Sequence, residues 1–197
     1  MPLHSDCLRR LAAELLDPTS LGQLQRVAYA RPLNLKQLVD LDRRIGGPGF
    51  STISRNGTGQ YEIADREVFR PLQYCGMEFR AGIETDDLEW RARDIVEMSS
   101  LHIEALIKRI GGLAGLPLGA LLSQAVVKRR LDPDTWEKAR RFTSVYNDAK
   151  HNFGHTKDTH LFSVPDAVFA YVVCRKLALS LYPLARLKTS LAALADT

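Results

Sequence analysis

The chain has 197 residues, of which 45% are hydrophobic and 25% are charged, and these fractions exclude a disordered or fibrous polypeptide. Its formal net charge of +4 permits contacts with nucleic acid or another anionic surface without requiring them. Three widely spaced cysteines, with no CxxC pair, argue against a disulfide framework. No charged start followed by an apolar run marks a signal peptide, so we expect a cytoplasmic protein.

The N-terminal part of the chain predicts short helices followed by a turn. Apolar residues recur at helical spacing in three segments that end at proline or glycine: 5–16, 20–30 and 35–45. Between residues 50 and 63 the pattern changes, and Asn56-Gly57 is a strong tight-turn signal because glycine accepts a positive φ. We therefore predict a small β-hairpin there, within an N-terminal helical region over residues 1–64.

The remainder of the chain has a helical period throughout. The predicted helices cover 65–81, 86–110, 118–130, 133–153 and 164–185. The last is apolar on nearly all sides but contains Arg175 and Lys176, so we interpret it as a helix in the middle of a bundle or at a dimer interface, and not as a membrane span. The chain is predicted to be all-α, with a bundle of four to five helices over residues 65–197.

One helix, over 133–153, has a polar row opposite an apolar one. Successive side chains are about 100° apart, which places four polar residues within a stripe roughly 60° wide: Arg140, Ser144, Asn147 and His151. Apolar residues lie on the other side, as expected of a face that packs into a core. Such a row can present a site rigidly to solvent or to a partner subunit, and it can equally be an ordinary solvated face.

The end of this helix resembles a motif of the HEPN superfamily of helical domains, Arg-Asn-x-x-x-His. The corresponding run here is Tyr146-Asn147-Asp148-Ala149-Lys150-His151, in which Asn147 and His151 match and Tyr146 stands at the arginine position. The order of the helices around it is also similar, over about residues 65–185. The resemblance is carried by a short motif, and it departs from the family pattern at the arginine.

The resemblance implies an RNA-directed protein, either a metal-independent endoribonuclease or a catalytically impaired RNA-binding relative, in a bacterial defence or toxin–antitoxin setting. It implies a homodimer in which two motif helices meet, with an antitoxin or another defence component as a possible partner protein. His151 would act as general base or acid, Asn147 would orient it, and Lys150 would supply a cation. The RNA contacts would come from Arg140, Arg141, Ser144, Tyr146, His155 and Lys157. No cofactor and no metal are expected.

The residue types fit cleavage through the ribose 2′-hydroxyl only in part. Such a reaction needs a base that titrates near neutral pH, which histidine supplies, and a cation that stabilises the developing charge. A phenol at the arginine position cannot supply that charge, and lysine lacks the bidentate fork of a guanidinium. Binding without cleavage is therefore one of the two expectations.

Other functions are also compatible with the sequence. The chain could be a non-catalytic helical scaffold that dimerises or docks a partner protein, or a DNA-binding helix-turn-helix over 118–153. A third alternative is a metal site, since imidazoles and a carboxylate recur near the end of the motif helix: His151, His155, Asp158 and His160. A polar loop that happens to contain histidines is the favoured interpretation of that cluster.

Two groups on the helix over 86–110 are predicted to have structural roles. His102 lies on an apolar row, which indicates a core histidine bonded to a neighbour such as Ser99. Glu104 and Lys108 are four residues apart in the favourable order, which predicts an ion pair on a solvated face.

Overall fold

The computed structural model describes residues 3–53, 61–151, 161–191 and 194. Its helices are α1 (Leu3–Leu15), α2 (Pro18–Ala28), α3 (Leu35–Ile45), α4 (Phe50–Ile53), α5 (Arg66–Thr85), α6 (Leu88–Gly111), α7 (Leu118–Ser123), α8 (Ala125–Arg130), α9 (Pro133–His151) and α10 (Val164–Leu181). Short 3₁₀ turns cover Ile63–Asp65 and Tyr182–Leu184. The prediction of an all-α protein is confirmed for this part of the chain.

The predicted count of four to five helices in the bundle is not supported, because α5 to α10 are six. The additional helix arises where the predicted segment 118–130 divides into α7 and α8. Gln124, between them, has an extended backbone with φ −70° and ψ 132°. Its amide still donates to the carbonyl of Leu121, so the break leaves the end of α7 hydrogen-bonded.

The predicted β-hairpin over 50–63 is not supported either, since the described residues contain no strand. Phe50–Ile53 forms α4, and the carbonyl of Gly49 accepts from the amides of Thr52 and Ile53 to close that turn. Phe50 and Ile53 are fully buried, and α4 packs against α5. Burial of these apolar side chains favours one helical turn over a strand, while Asn56-Gly57 lies outside the described residues.

The central helix of the structure is α10, which packs against α1, α2, α3, α6 and α9. It is buried on nearly all sides, so its position in the middle of the bundle agrees with the interpretation of its sequence. Within the described part of the chain, Val164–Leu184 is the one helical segment long and apolar enough to span a membrane, and it is mostly buried inside the protein. The N-terminal helices share a continuous hydrophobic core with the later ones.

A buried ion pair links α10 to the N-terminal helices. The guanidinium of Arg175 bonds Asp42 of α3 and donates to the carbonyls of Gly46 at 2.6 Å and Gly47 at 3.0 Å. The hydroxyl of Tyr171 donates to Asp42 at 2.6 Å. Burial lowers the pKa of Arg175 to about 10, which leaves the guanidinium charged at neutral pH. This network fixes the loop after α3 against the central helix.

The structural predictions on α6 are confirmed in part. His102 is fully buried as predicted, but its partners are the carbonyl of Val68 at 2.6 Å and the hydroxyl of Tyr182 at 2.9 Å, and not Ser99. The ion pair between Glu104 and Lys108 forms at 2.7 Å. Glu104 is nevertheless buried, so the predicted solvated face is wrong at that residue.

The reason for the burial of Glu104 is a contact outside its own helix. Its second carboxylate oxygen accepts from the amide of Leu118 at 3.2 Å, at the start of α7. A first-turn amide has no partner within its own helix. Glu104 therefore caps α7 while it pairs with Lys108.

Candidate functional site

The polar row of α9 is exposed along its whole length. Arg140, Ser144, Asn147 and His151 all lie at the surface. The opposite side of the helix is anchored in the core, where Phe142, Val145 and Ala149 are fully buried. The helix packs against α1, α6, α7 and α10, so its exposed edge is held by four other helices.

Tyr146, at the arginine position of the motif, does not lie on this edge. It is only 2% exposed and points about 100° away from Asn147 around the helix. Burial, with the carboxylates of Glu104 and Glu97 nearby, raises the pKa of its phenol well above the usual range. The structure therefore keeps this side chain neutral and does not bring it to the surface predicted to contact RNA.

Both arginines of the site are already paired with carboxylates. Arg140 donates through two nitrogens to Glu137 at 2.8 and 2.7 Å, and Arg141 of α9 forms a similar forked pair with Glu14 of α1. A phosphate must compete with these carboxylates for the same donors. Because exposed ion pairs contribute little to stability, such an exchange is energetically easy.

At the C-terminal end of α9, the cations Lys150 and Arg93 make contacts of another kind than the carboxylate pairs of Arg140 and Arg141. Lys150 is exposed, pairs with no carboxylate in the described residues, and has its ammonium 5.5 Å from the centre of the Tyr146 ring. The last carbonyls of a helix lack intrahelical donors and carry partial negative charge. Arg93 of α6 offsets this charge, since its Nε donates to the carbonyl of Ala149 at 2.6 Å.

Arg93 is a site residue that sequence reasoning missed, because only the packing of α6 against α9 brings it there. Trp90, one turn earlier on α6, lies at the same end of the helix pair and is 68% exposed. Helical rise places Trp90 about 4.5 Å beyond Arg93, and His151 about 3 Å beyond Ala149. The same end of the α6–α9 pair thus carries an imidazole, an ammonium, a guanidinium and an indole.

Several predicted residues cannot be placed in this surface. His155 and Lys157, together with Asp158 and His160 of the metal alternative, lie outside the described residues. Among the residues that are described, no group of three or more histidine, cysteine or carboxylate side chains is arranged to hold a metal ion. The metal alternative depends on the segment after His151 and stays a prediction.

The arrangement is suited to contacts with a polyanion. Asn147 and His151, four residues apart on the exposed edge, have Cβ atoms about 5–6 Å apart. An amide and an imidazole at that spacing can hydrogen-bond a phosphate or ribose oxygen, and Lys150 adds a positive charge beside them. Comparison of the chain with protein-family models, curated proteins and solved structures finds no match.

Proposed function

We propose that the chain is a HEPN-like, RNA-directed protein that binds RNA along the exposed edge of α9 and is impaired in cleavage. One observation carries the proposal: Asn147, Lys150 and His151 are exposed together, whereas Tyr146 at the motif's arginine position is buried. The residues that bind are thus accessible, and the residue that would stabilise a cleavage transition state is replaced by a buried neutral phenol.

The chemistry of the surface supports binding to a single strand. Proteins that bind unpaired nucleic acid combine cations that contact the backbone with aromatic side chains on which bases stack. Lys150 and the exchangeable arginines Arg140 and Arg141 supply the charge. Trp90 supplies an exposed aromatic face at the same end of the helix pair.

The same surface is poorly equipped for rapid cleavage. Charge that develops on a phosphorane is best stabilised by pre-positioned donors in a site that excludes water. Here Lys150 and His151 are exposed to solvent, where a charge–charge interaction is weak. The nearby guanidinium of Arg93 is bound to the carbonyl of Ala149.

A homodimer, a cytoplasmic location and an antitoxin or defence component as partner belong to the same proposal. The second candidate, a helical scaffold, has less support than the sequence alone suggested. The departure at Tyr146 and the apolar last helix both favoured it, but α10 uses its apolar faces inside the core. That helix leaves little apolar surface for a partner.

The test is the affinity for a fluorescein-labelled single-stranded RNA, measured by anisotropy between about 50 and 200 mM salt. Each phosphate contact to a single strand contributes about 0.7 to the slope of log affinity against log salt. The double variant Lys150→Gln/His151→Ala is expected to bind about tenfold more weakly and with a shallower slope. Arg44→Gln, an exposed arginine on α3 that pairs with no described carboxylate, is the control and should bind like wild type.

Absence of RNA binding at low salt would overturn the proposal and favour the scaffold. Equal losses in the double variant and in Arg44→Gln would show that binding depends on overall charge and not on α9. Binding by all variants with an unchanged slope would place the RNA on another surface.

A further inference from the structure

A cleft lies between α1 and α9, and most of its lining residues belong to α1 and not to the polar row of α9. The cleft has a volume of about 210 Å³ and is lined by Asp6, Cys7 and Arg10 of α1 and by Arg141 of α9. Pockets for drug-sized ligands are larger, about 300–1,000 Å³. The cleft therefore fits a single small polar group better than a whole nucleotide.

The charges around the cleft favour an anion. Arg10 is exposed and pairs with no carboxylate in the described residues, whereas its neighbours Arg9 and Arg141 pair with Asp6 and Glu14. Since Asp6 is paired with Arg9 and Glu14 with Arg141, the guanidinium of Arg10 is the positive charge left in excess beside the cleft.

Two further features of the cleft suit an oxygen-rich ligand. The Nε of Arg141 is buried and has no hydrogen-bond acceptor in the described part of the chain. A buried donor without an acceptor is unfavourable, so a rotation of the Arg141 side chain that brought Nε to an oxygen in the cleft would gain a hydrogen bond. Burial raises the pKa of the Cys7 thiol, so the sulfur stays neutral and does not repel an anion.

The cleft is continuous with the exposed edge of α9. The carbonyl of Arg141 accepts from the hydroxyl of Ser144 at 2.7 Å and from the thiol of Cys7 at 3.5 Å. Ser144 belongs to the exposed row, so the row and the cleft share one helical turn. Helical rise separates Ser144 from His151 by about 10 Å, a short path along one edge.

We infer that the cleft between α1 and α9 is a phosphate-binding subsite in which Arg10 and Arg141 hold one phosphate group of the strand bound along α9. The part of this inference that concerns the strand rests on the proposed RNA binding. The affinity of the cleft for a phosphate group does not rest on RNA binding, because the residues that support it lie on α1 and on the middle of α9. Free phosphate and a phosphate group of RNA would make the same contacts, so the experiment tests binding of each one.

The experiment compares Arg10→Gln with the control Arg44→Gln in RNA binding across salt. Loss of one phosphate contact is expected to weaken binding about tenfold and to lower the slope by about 0.7. Asp6→Asn removes a negative charge from the cleft and is expected to tighten binding by a few fold. A gain of affinity is useful here because misfolding cannot produce it. In parallel, inorganic phosphate is titrated while the backbone amides of Cys7, Arg10 and Arg141 are followed by NMR.

The outcomes separate this inference from the proposed function. RNA binding that depends on His151 but is equal in Arg10→Gln and Arg44→Gln would overturn the subsite and leave the proposed function intact. Phosphate-induced shifts at Cys7 and Arg10 without RNA binding would support a site for free phosphate and overturn RNA as its source. Absence of both phosphate shifts and an Arg10 effect would overturn the subsite.

Discussion

The substitution Arg175→Met removes the cation of a fully buried ion pair. The side chains of Arg175 and Asp42 are 0% and 1% exposed. Without the guanidinium, the carboxylate of Asp42 keeps two donors, the hydroxyl of Tyr171 at 2.6 Å and the amide of Ser51 at 2.9 Å. The carbonyls of Gly46 and Gly47 lose the donor that now satisfies both of them.

These contacts set the expected magnitude. Removing one partner of a buried pair typically destabilises a protein by about 3–5 kcal/mol, because the other charge stays buried without compensation. The two donors that Asp42 keeps reduce this loss, and the two unpaired carbonyls increase it by about 1 kcal/mol each. We expect the free energy of unfolding to fall by about 4 kcal/mol, out of a total of roughly 5–15 kcal/mol for a typical domain.

The assay is urea denaturation followed by far-UV circular dichroism, with the double variant Asp42→Asn/Arg175→Met beside the single ones. The double variant removes both charges, so its loss should be smaller than the sum of the single losses by about 1–3 kcal/mol. Arg140→Met breaks the exposed pair with Glu137 and should leave stability close to that of wild type. A loss below about 1 kcal/mol in Arg175→Met, or strict additivity in the double variant, would refute the role given to the pair.

Three further outcomes are expected. Burial lowers the pKa of His102 to about 4, so below about pH 6.5 the unfolded chain takes up a proton that the folded chain does not, and the free energy of unfolding of wild type falls until about pH 4. The difference in free energy of unfolding between wild type and His102→Gln, measured by urea titration, should therefore narrow by about 3 kcal/mol between pH 7 and pH 4. A difference that stays constant with pH would contradict the burial argument. The variant Tyr146→Arg restores the arginine of the motif, but the new side chain would lie beside Glu104 in the interior. We therefore expect lower thermal stability and no gain in RNA cleavage. Strong cleavage by this variant would show that the position reaches the substrate. Wild type should leave total RNA largely intact in EDTA, whereas cleavage that survives chelation and disappears in His151→Ala would establish a metal-independent nuclease.

Local sequence patterns predicted the features of this fold that depend on helical period. The apolar repeat located the helices other than α4 and missed the break between α7 and α8, and the burial of α10 follows from its apolar character on all sides. The exposed edge of α9 follows from the same 100° geometry. The predicted hairpin is not supported, because turn signals around Asn56-Gly57 do not reveal that Phe50 and Ile53 are buried and that α4 packs against α5.

Contacts between residues far apart in the chain could not be predicted from one sequence. Asp42 and Arg175 are 133 positions apart, and nothing local to either marks them as partners. Arg93 reaches α9 only because α6 packs against it, and the cleft at Arg10 exists only because α1 lies along α9. The burial of Tyr146 is likewise set by α6, which supplies Glu97 and Glu104.

We expect RNA to occupy the exposed edge of α9 as far as its C-terminal end, and hydroxyl-radical footprinting with and without single-stranded RNA measures this. Trp90 and His151 lie at that end and are exposed, whereas Met77, 51% exposed on α5, is an internal reference. Bound RNA is expected to lower the labelling of Trp90 and His151 and to leave that of Met77 unchanged. Unchanged labelling of Trp90 and His151 at saturating RNA, or protection confined to Met77, would contradict it.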